Sequence, residues 1–385
     1  MMRLVLLSLL LVIVGLDPAT VHAQLALSAN DNKVVLVDGV ATVVQNPAVD
    51  TVSVIDMRQY PPRLVAEITA PTSVVGPPLS VAITPDESLA LVTAAMKINP
   101  GDPTKQIPDN RLSVIDLKAS PPQVITTLET GKGPAGLSIN RQGNLAIVAN
   151  RSEGTLSIFT ISGKTVTPVG TLKLGDEKIG ASHVAFSPDG KTALVTRDGD
   201  DRISVLSIDG TKVEYTKRDV NAGLRPYGLD ISSDGKYAVV ANIGRGGGDS
   251  DTISVIDMQA KPVRVVDTIT VGQTPEGIKI SPDGKWVGVV AMNGSNKAKT
   301  SPFFADNGKL VLFRADGAKL TKVAEAPIGH WSQGVAFSTD GRIILVGNMV
   351  EKNLQIFDWN GTTLKDSGHQ IKLNGGSAAV RIADK

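Results

Sequence analysis

Hydrophobic residues along this chain come in short runs divided by turn residues, and one of those runs recurs seven times. It reads TVSVIDM at 51–57, RLSVIDL at 111–117, TLSIFTI at 155–161, RISVLSI at 202–208, TISVIDM at 252–258, KLVLFRA at 309–315 and NLQIFDW at 353–359, with copies 44 to 60 residues apart. Ahead of each copy, two apolar runs flank a turn, as in VAITPDESLALVTA, LSINRQGNLAIVAN, VAFSPDGKTALVTR, LDISSDGKYAVVAN, IKISPDGKWVGVVA and VAFSTDGRIILVGN, with a weaker LALSANDNKVVLVD at 25–38. These are read as hairpins. A fourth β-rich run such as VITTLET, TPVGTLKLG or RVVDTITVG follows each third one. The runs are apolar on both faces, as expected of sheets held between two neighbours. Four antiparallel strands in a repeat of about 50 residues predict an all-β, seven-bladed β-propeller over residues 24–385 as a single domain.

In the Ser-Pro-Asp-Gly turns Pro presets φ, Asp bonds its own backbone and Gly takes positive φ, so Asp189, Asp234, Asp283 and Asp340 are expected to be structural. The terminal GSAAVRIADK is similar to an eighth copy of a first strand and is expected to close the ring beside residues 25–38. The pattern leaves open which terminus supplies the inner strand.

At this point the chain resembles the YVTN-type seven-bladed propellers, named for a tetrad ending the second strand. The tetrad reads LVTA at 91–94, IVAN at 147–150, LVTR at 194–197, VVAN at 239–242, VVAM at 289–292 and LVGN at 345–348. The resemblance covers nearly all of the chain after residue 23 and implies the propeller fold. The segment KIGASHVAFSPDG also resembles the way lactonase propellers begin an inner strand. That likeness implies lactone hydrolysis with His183 as general base, Glu276 assisting and Arg225 stabilising the oxyanion. The other crossings, GPAG, RPYG and TPEG, depart from it.

Composition narrows the function classes. The chain has 38 glycines and 22 prolines among 385 residues, 4% aromatic residues and a formal net charge of +1. A near-neutral chain without long basic runs lacks the electrostatic attraction that drives nucleic-acid binding. With no cysteine there is no disulfide, thiolate metal site, covalent c-type haem or thiol nucleophile. A redox accessory role would therefore need a non-covalent cofactor, and none is expected. Residues 1–23 carry Arg3, an apolar stretch from Leu4 to Leu16, and small residues at Val21 and Ala23. This reads as a signal peptide that is too short to span a bilayer. A periplasmic or secreted monomer is the expectation, with no membrane insertion after cleavage.

In a four-stranded meander alternate turns lie on opposite faces, so the Ser-Pro-Asp-Gly turns share one face. The loops after the second strands share the other with the crossings between blades. The long loops 39–50, 95–110, 243–251 and 293–308 mark that second face as functional. From the crossings, His183, Arg225, Tyr227, Glu276, His330, Trp331 and Gln333 form the candidate ligand cluster at the channel mouth, suited to an anion, a sugar acid or a peptide. No three-histidine metal site is expected, because His183, His330 and His369 are the only histidines after residue 23 and His369 falls in the outer part of the last blade. The carboxylates at 198–201 and in 244–251 suit a hard cation without matching an EF-hand. No P-loop, HExxH or GxSxG motif occurs. The primary expectation is a scaffold that binds a small ligand or an envelope protein, and the alternative is a lactonase-like hydrolase.

Overall fold

A computed structural model describes residues 24–385; the expected signal peptide lies outside them. Seven four-stranded antiparallel sheets form the blades. In blades two to seven the inner strands are Val81–Ile83, Pro134–Ile139, Ala181–Phe186, Pro226–Ile231, Pro275–Ile280 and Ser332–Phe337. All seven copies of the recurring segment fall on third strands, from Thr51–Asp56 to Asn353–Trp359. The tetrads lie on second strands, and where they end in Asn the side chain ties the second strand to the third. Asn150 donates to Thr155 Oγ1 at 3.0 Å and Ser157 Oγ at 2.9 Å, and Asn242 does the same to Thr252 and Ser254.

The C-terminus supplies the closing strand. Gly376–Ile382 is the innermost strand of blade one, followed outward by Leu25–Asp31, Thr51–Asp56 and Arg63–Thr69. This corrects the weak hairpin expected at 25–38. Leu25–Asp31 is a second strand, its inner edge paired with the C-terminal strand from Ala26 with Ile382 to Asp31 with Gly376. The chain then leaves the blade at Lys33, whose ammonium turns inward to Asp31, Asp50 and the Thr72 carbonyl. Beyond it Val34–Val37 pairs with Val40–Val43 in a separate ribbon. The expected loop 95–110 is also ordered, as a hairpin that prolongs Leu89–Asn99 and Asp102–Asp116 up to the pair Asn99 and Asp102.

The core is divided by seam. Seven clusters of buried apolar side chains each join one pair of neighbouring blades. Leu27, Val52 and Val81 meet between blades one and two, and Ala26, Leu345 and Leu354 close the last seam between blades seven and one. Each blade thus buries both faces, which explains strands without polar alternation. The turn aspartates act as expected. Asp189 accepts from Ser187 Oγ at 2.6 Å and from Lys191 N at 3.0 Å, and Asp234, Asp283 and Asp340 repeat the arrangement.

Candidate functional site

Side chains reach the channel mouth because of how the chain enters each inner strand. The residue before the strand adopts a left-handed conformation at Gly133, Gly180, Arg225, Thr274 and Trp331. In blades five, six and seven the second strand residue is Tyr227, Glu276 or Gln333, and the third is Gly228, Gly277 or Gly334. A Cβ at those glycines would stand 2.4, 2.1 and 2.4 Å from backbone atoms of the next blade, so no larger residue fits. The inner strands therefore nearly touch, and this brings side chains from several blades into one small space.

Asp198 organises the mouth. Its Oδ2 accepts from Arg151 Nη2 at 2.7 Å and Arg225 Nη2 at 2.9 Å, while Oδ1 accepts from Ser182 Oγ at 2.8 Å. The Asp198 side chain is 2% exposed, whereas those of Arg151 and Arg225 are 29% and 34% exposed. A buried anion thus lies beneath two accessible guanidinium groups from blades three and five. Burial would lift the Asp198 carboxyl, but Arg151, Arg225 and Ser182 outweigh it and hold the group below its ordinary range. Arg151 Nε has no hydrogen-bond partner.

Glu276 faces the same space and makes no ion pair among the described residues. Burial pushes its carboxyl up to about 8; the Gln333 amide and Arg225 oppose the rise, and the Asp198 carboxylate adds to it. Both polar side-chain atoms of Gln333 nonetheless lack a partner at hydrogen-bonding distance. Tyr227 is buried, and its hydroxyl is made less acidic by burial and by Glu276. Uncommitted polar groups beside a carboxyl that titrates near neutrality are equipped for proton transfer and for binding an oxyanion.

Arg225, Tyr227, Glu276 and Gln333 are thus brought together, and the other three expected residues are not with them. His183 is 1% exposed in the channel wall. Burial and then the charge of Arg381 hold its imidazole neutral, and its electrostatic neighbours are Arg381, Asp384 and Lys279. His330 pairs through Nδ1 with Glu351 Oε1 at 2.6 Å, away from the cluster. Trp331 is buried with Val34, Val74, Met292, Met349 and Ala378 beneath the ribbon, whose tip at Gly39 rests against Lys297 and Ala298. The carboxylates proposed for a cation have other partners: Asp198 binds two arginines, Asp200 pairs with Arg197, and Asp251 accepts from Thr274 N.

At the turn-face end the channel is stopped by paired charges. Lys279 Nζ lies 3.1 Å from Asp230 and 2.6 Å from Asp384, and Arg381 Nη2 lies 2.5 Å from Asp384. Lys385 reaches Glu87 at 2.8 Å. A cavity of about 80 Å³ remains there, lined in part by Arg141, Lys279 and Arg381.

Residues 164–265 match the model of the family described as lactonase, 7-bladed beta-propeller. No curated protein sequence matches the chain. Among solved structures, a putative 6-phosphogluconolactonase from Bacteroides uniformis is 18% identical with a TM-score of 0.70, over 94% of this chain and 100% of that one. The two share the seven-bladed propeller fold. A putative 6-phosphogluconolactonase from Bacteroides fragilis gives 18% identity and a TM-score of 0.69, covering 96% and 100% of the two chains. The periplasmic gluconolactonase of Pseudomonas aeruginosa gives 19% and 0.64, covering 94% and 99%.

Sequence reasoning overlooked Arg151 and treated Asp198 only as a cation ligand. A signal was available. Counted from the turn glycines Gly143 and Gly190, Arg151 and Asp198 occupy the same repeat position, just past the tetrad, where blades five, six and seven carry Ile243, Met292 and Met349. Blade two has Ala95 there, and blade one has Asp31, which is bonded to Lys33, so Arg151 and Asp198 are the neighbouring charged pair that marks the site.

Proposed function

We propose that the chain is a lactone hydrolase whose site is the loop-face mouth of the channel. The observation that carries this reading is Glu276, a carboxyl without an ion pair that is raised to about 8 and lies within the electrostatic reach of Arg225 and Arg151. Support also comes from the partial family match and from solved propellers described as gluconolactonase or putative 6-phosphogluconolactonase. The ionised Glu276 takes a proton from water as the water oxygen bonds to the lactone carbonyl carbon. The carbonyl oxygen becomes an oxyanion facing the guanidinium groups. When the ring C–O bond breaks, Glu276 returns the proton to the departing alkoxide, leaving a hydroxy acid. This chemistry places His183 in a structural role, unlike the general-base assignment implied by resemblance.

The apolar leader with Arg3 supports export, as does similarity to a periplasmic propeller. Among the described residues no helix is long and apolar enough to cross a membrane.

The test is acid release from glucono-1,5-lactone above the spontaneous rate, followed by pH-stat titration, for the purified protein and for Glu276→Gln. General-base catalysis of this kind contributes about 10²- to 10⁴-fold, so the variant should lose about that much of kcat. A protein that hydrolyses no lactone in a panel of ring sizes, or a variant with unchanged kcat, removes the reading.

A further inference from the structure

We propose that this mouth selects an unphosphorylated lactone and that Asp198 is the residue that sets the selectivity. The inference rests on the lactonase reading and adds the substrate class. Two guanidinium groups in one pocket would ordinarily suit a phosphate dianion, because each can offer it paired donors. Here one carboxylate oxygen of Asp198 takes a hydrogen bond from both, at 2.7 and 2.9 Å, from beneath the accessible surface. Asp198 cannot turn away, since its second oxygen is held by Ser182 Oγ, which also donates to the Gly180 carbonyl.

The local charge count then decides the substrate. Arg151, Arg225 and Asp198 sum to a single positive charge, and once Glu276 ionises to act as base the site is neutral. Neighbouring guanidinium groups add little: Arg197 is matched by Asp200 and Asp219, and Arg245 faces Asp201 at 3.5 Å. A phosphate ester carries about −1.5 to −2 near pH 7. Brought into this space it would leave excess negative charge beside Glu276, disfavouring the carboxylate that the reaction needs. A neutral polyhydroxylated lactone meets no such penalty. Its product, a monocarboxylate, matches the single residual charge of the resting site.

Asp198 is thus a positioning residue. It fixes two arginines from different blades at one point and cancels one of their charges. Calorimetric binding of gluconate and of 6-phosphogluconate to the purified protein tests this without requiring turnover. Gluconate should bind at least tenfold more tightly. In Asp198→Asn, which keeps the side-chain size and frees the second positive charge, the ratio should move at least tenfold toward the phosphorylated acid. A residue with only a folding role would change both affinities together. Arg225→Met serves as a second variant and should weaken gluconate binding without creating a preference for the phosphorylated acid. Tighter binding of 6-phosphogluconate by the unmodified protein, an unmoved ratio in Asp198→Asn, or no binding of either acid overturns the proposal. Selective gluconate binding without lactone turnover sinks the hydrolase reading but leaves the selectivity in place.

Discussion

The two ends of the channel are built from the same inner strands, three residues apart, and differ in how their charges are settled. Tyr227 and Asp230 share one strand, and Glu276 and Lys279 share the next. At the turn-face end Lys279 is 8% exposed between Asp230 and Asp384, and Arg381 at 3% exposed also holds Asp384. At the loop-face end Glu276 has no ionic partner, Gln333 is unbonded and Arg151 keeps a free donor. Single atoms stay unbonded at both ends, Arg381 Nε and Glu87 Oε2 at the closed one, but there Lys279, Arg381, Asp230 and Asp384 each have an opposite charge within reach, and that pairing stabilises the ring closure. The contrast teaches that buried charge alone does not mark a site; a carboxyl left without an opposite charge does.

The sharpest way to break this comparison is to remove a charge at the closed end. Lys279→Met strands Asp230 and leaves Asp384 to Arg381 alone, and loss of one partner from a buried ion pair costs about 3 to 5 kcal/mol. Denaturant unfolding should register that loss, while kcat toward a lactone stays within about twofold for the fraction that is folded. A comparable loss of kcat with unchanged stability would show that the closed end takes part in catalysis.

The pH profile sharpens the open end. Glu276 must be ionised to accept a proton, so kcat/KM should rise about tenfold per pH unit below 8 and level off above it. Stability runs the other way. A folded-state pKa of about 8 against an ordinary value of 4.5 means that the folded chain holds a proton the unfolded chain has lost between those values. Stability from this group therefore falls as pH rises through that window and is level above it. A rate profile flat between pH 6 and 8 would remove Glu276 as the base.

A smaller effect follows from the same linkage. Glu276→Gln should melt about 1 to 3 °C higher than the unmodified protein at pH 8.5, with the difference shrinking toward pH 5. Calorimetric scans at the two pH values check it, and an equal difference at both would assign the change to packing. Smallest of all is His183→Asn, which should leave lactone turnover within about threefold because the imidazole sits in the wall and not at the mouth. A loss of a hundredfold with the fold intact would restore His183 as the base.

Much of this was legible in the chain. The recurring third strand, the tetrads and the Asp-Gly turns are local patterns, and each does in the structure what its chemistry requires. The Ser187 and Asp189 bonds need only neighbouring residues, so sequence sufficed to read them. The crossings also pointed to Arg225, Tyr227, Glu276 and Gln333, because position in the repeat fixes depth along the channel.

Depth is only one coordinate, and the rest was decided by the tertiary structure. Trp331 and Gln333 lie two residues apart, but the Trp331 ring packs under the ribbon of blade one with Val34, Val74 and Met292. Arg151 and Asp198 lie in neighbouring blades and meet across the seam between them. Ring closure sets the C-terminal strand inside Leu25–Asp31 and brings Asp384 to Lys279, 105 residues away. Repetition specifies the blade from within a single unit, since strand pairing and turn chemistry are satisfied there. Which charges are paired and which stay open depends on contacts between units, and only the packed ring brings those together.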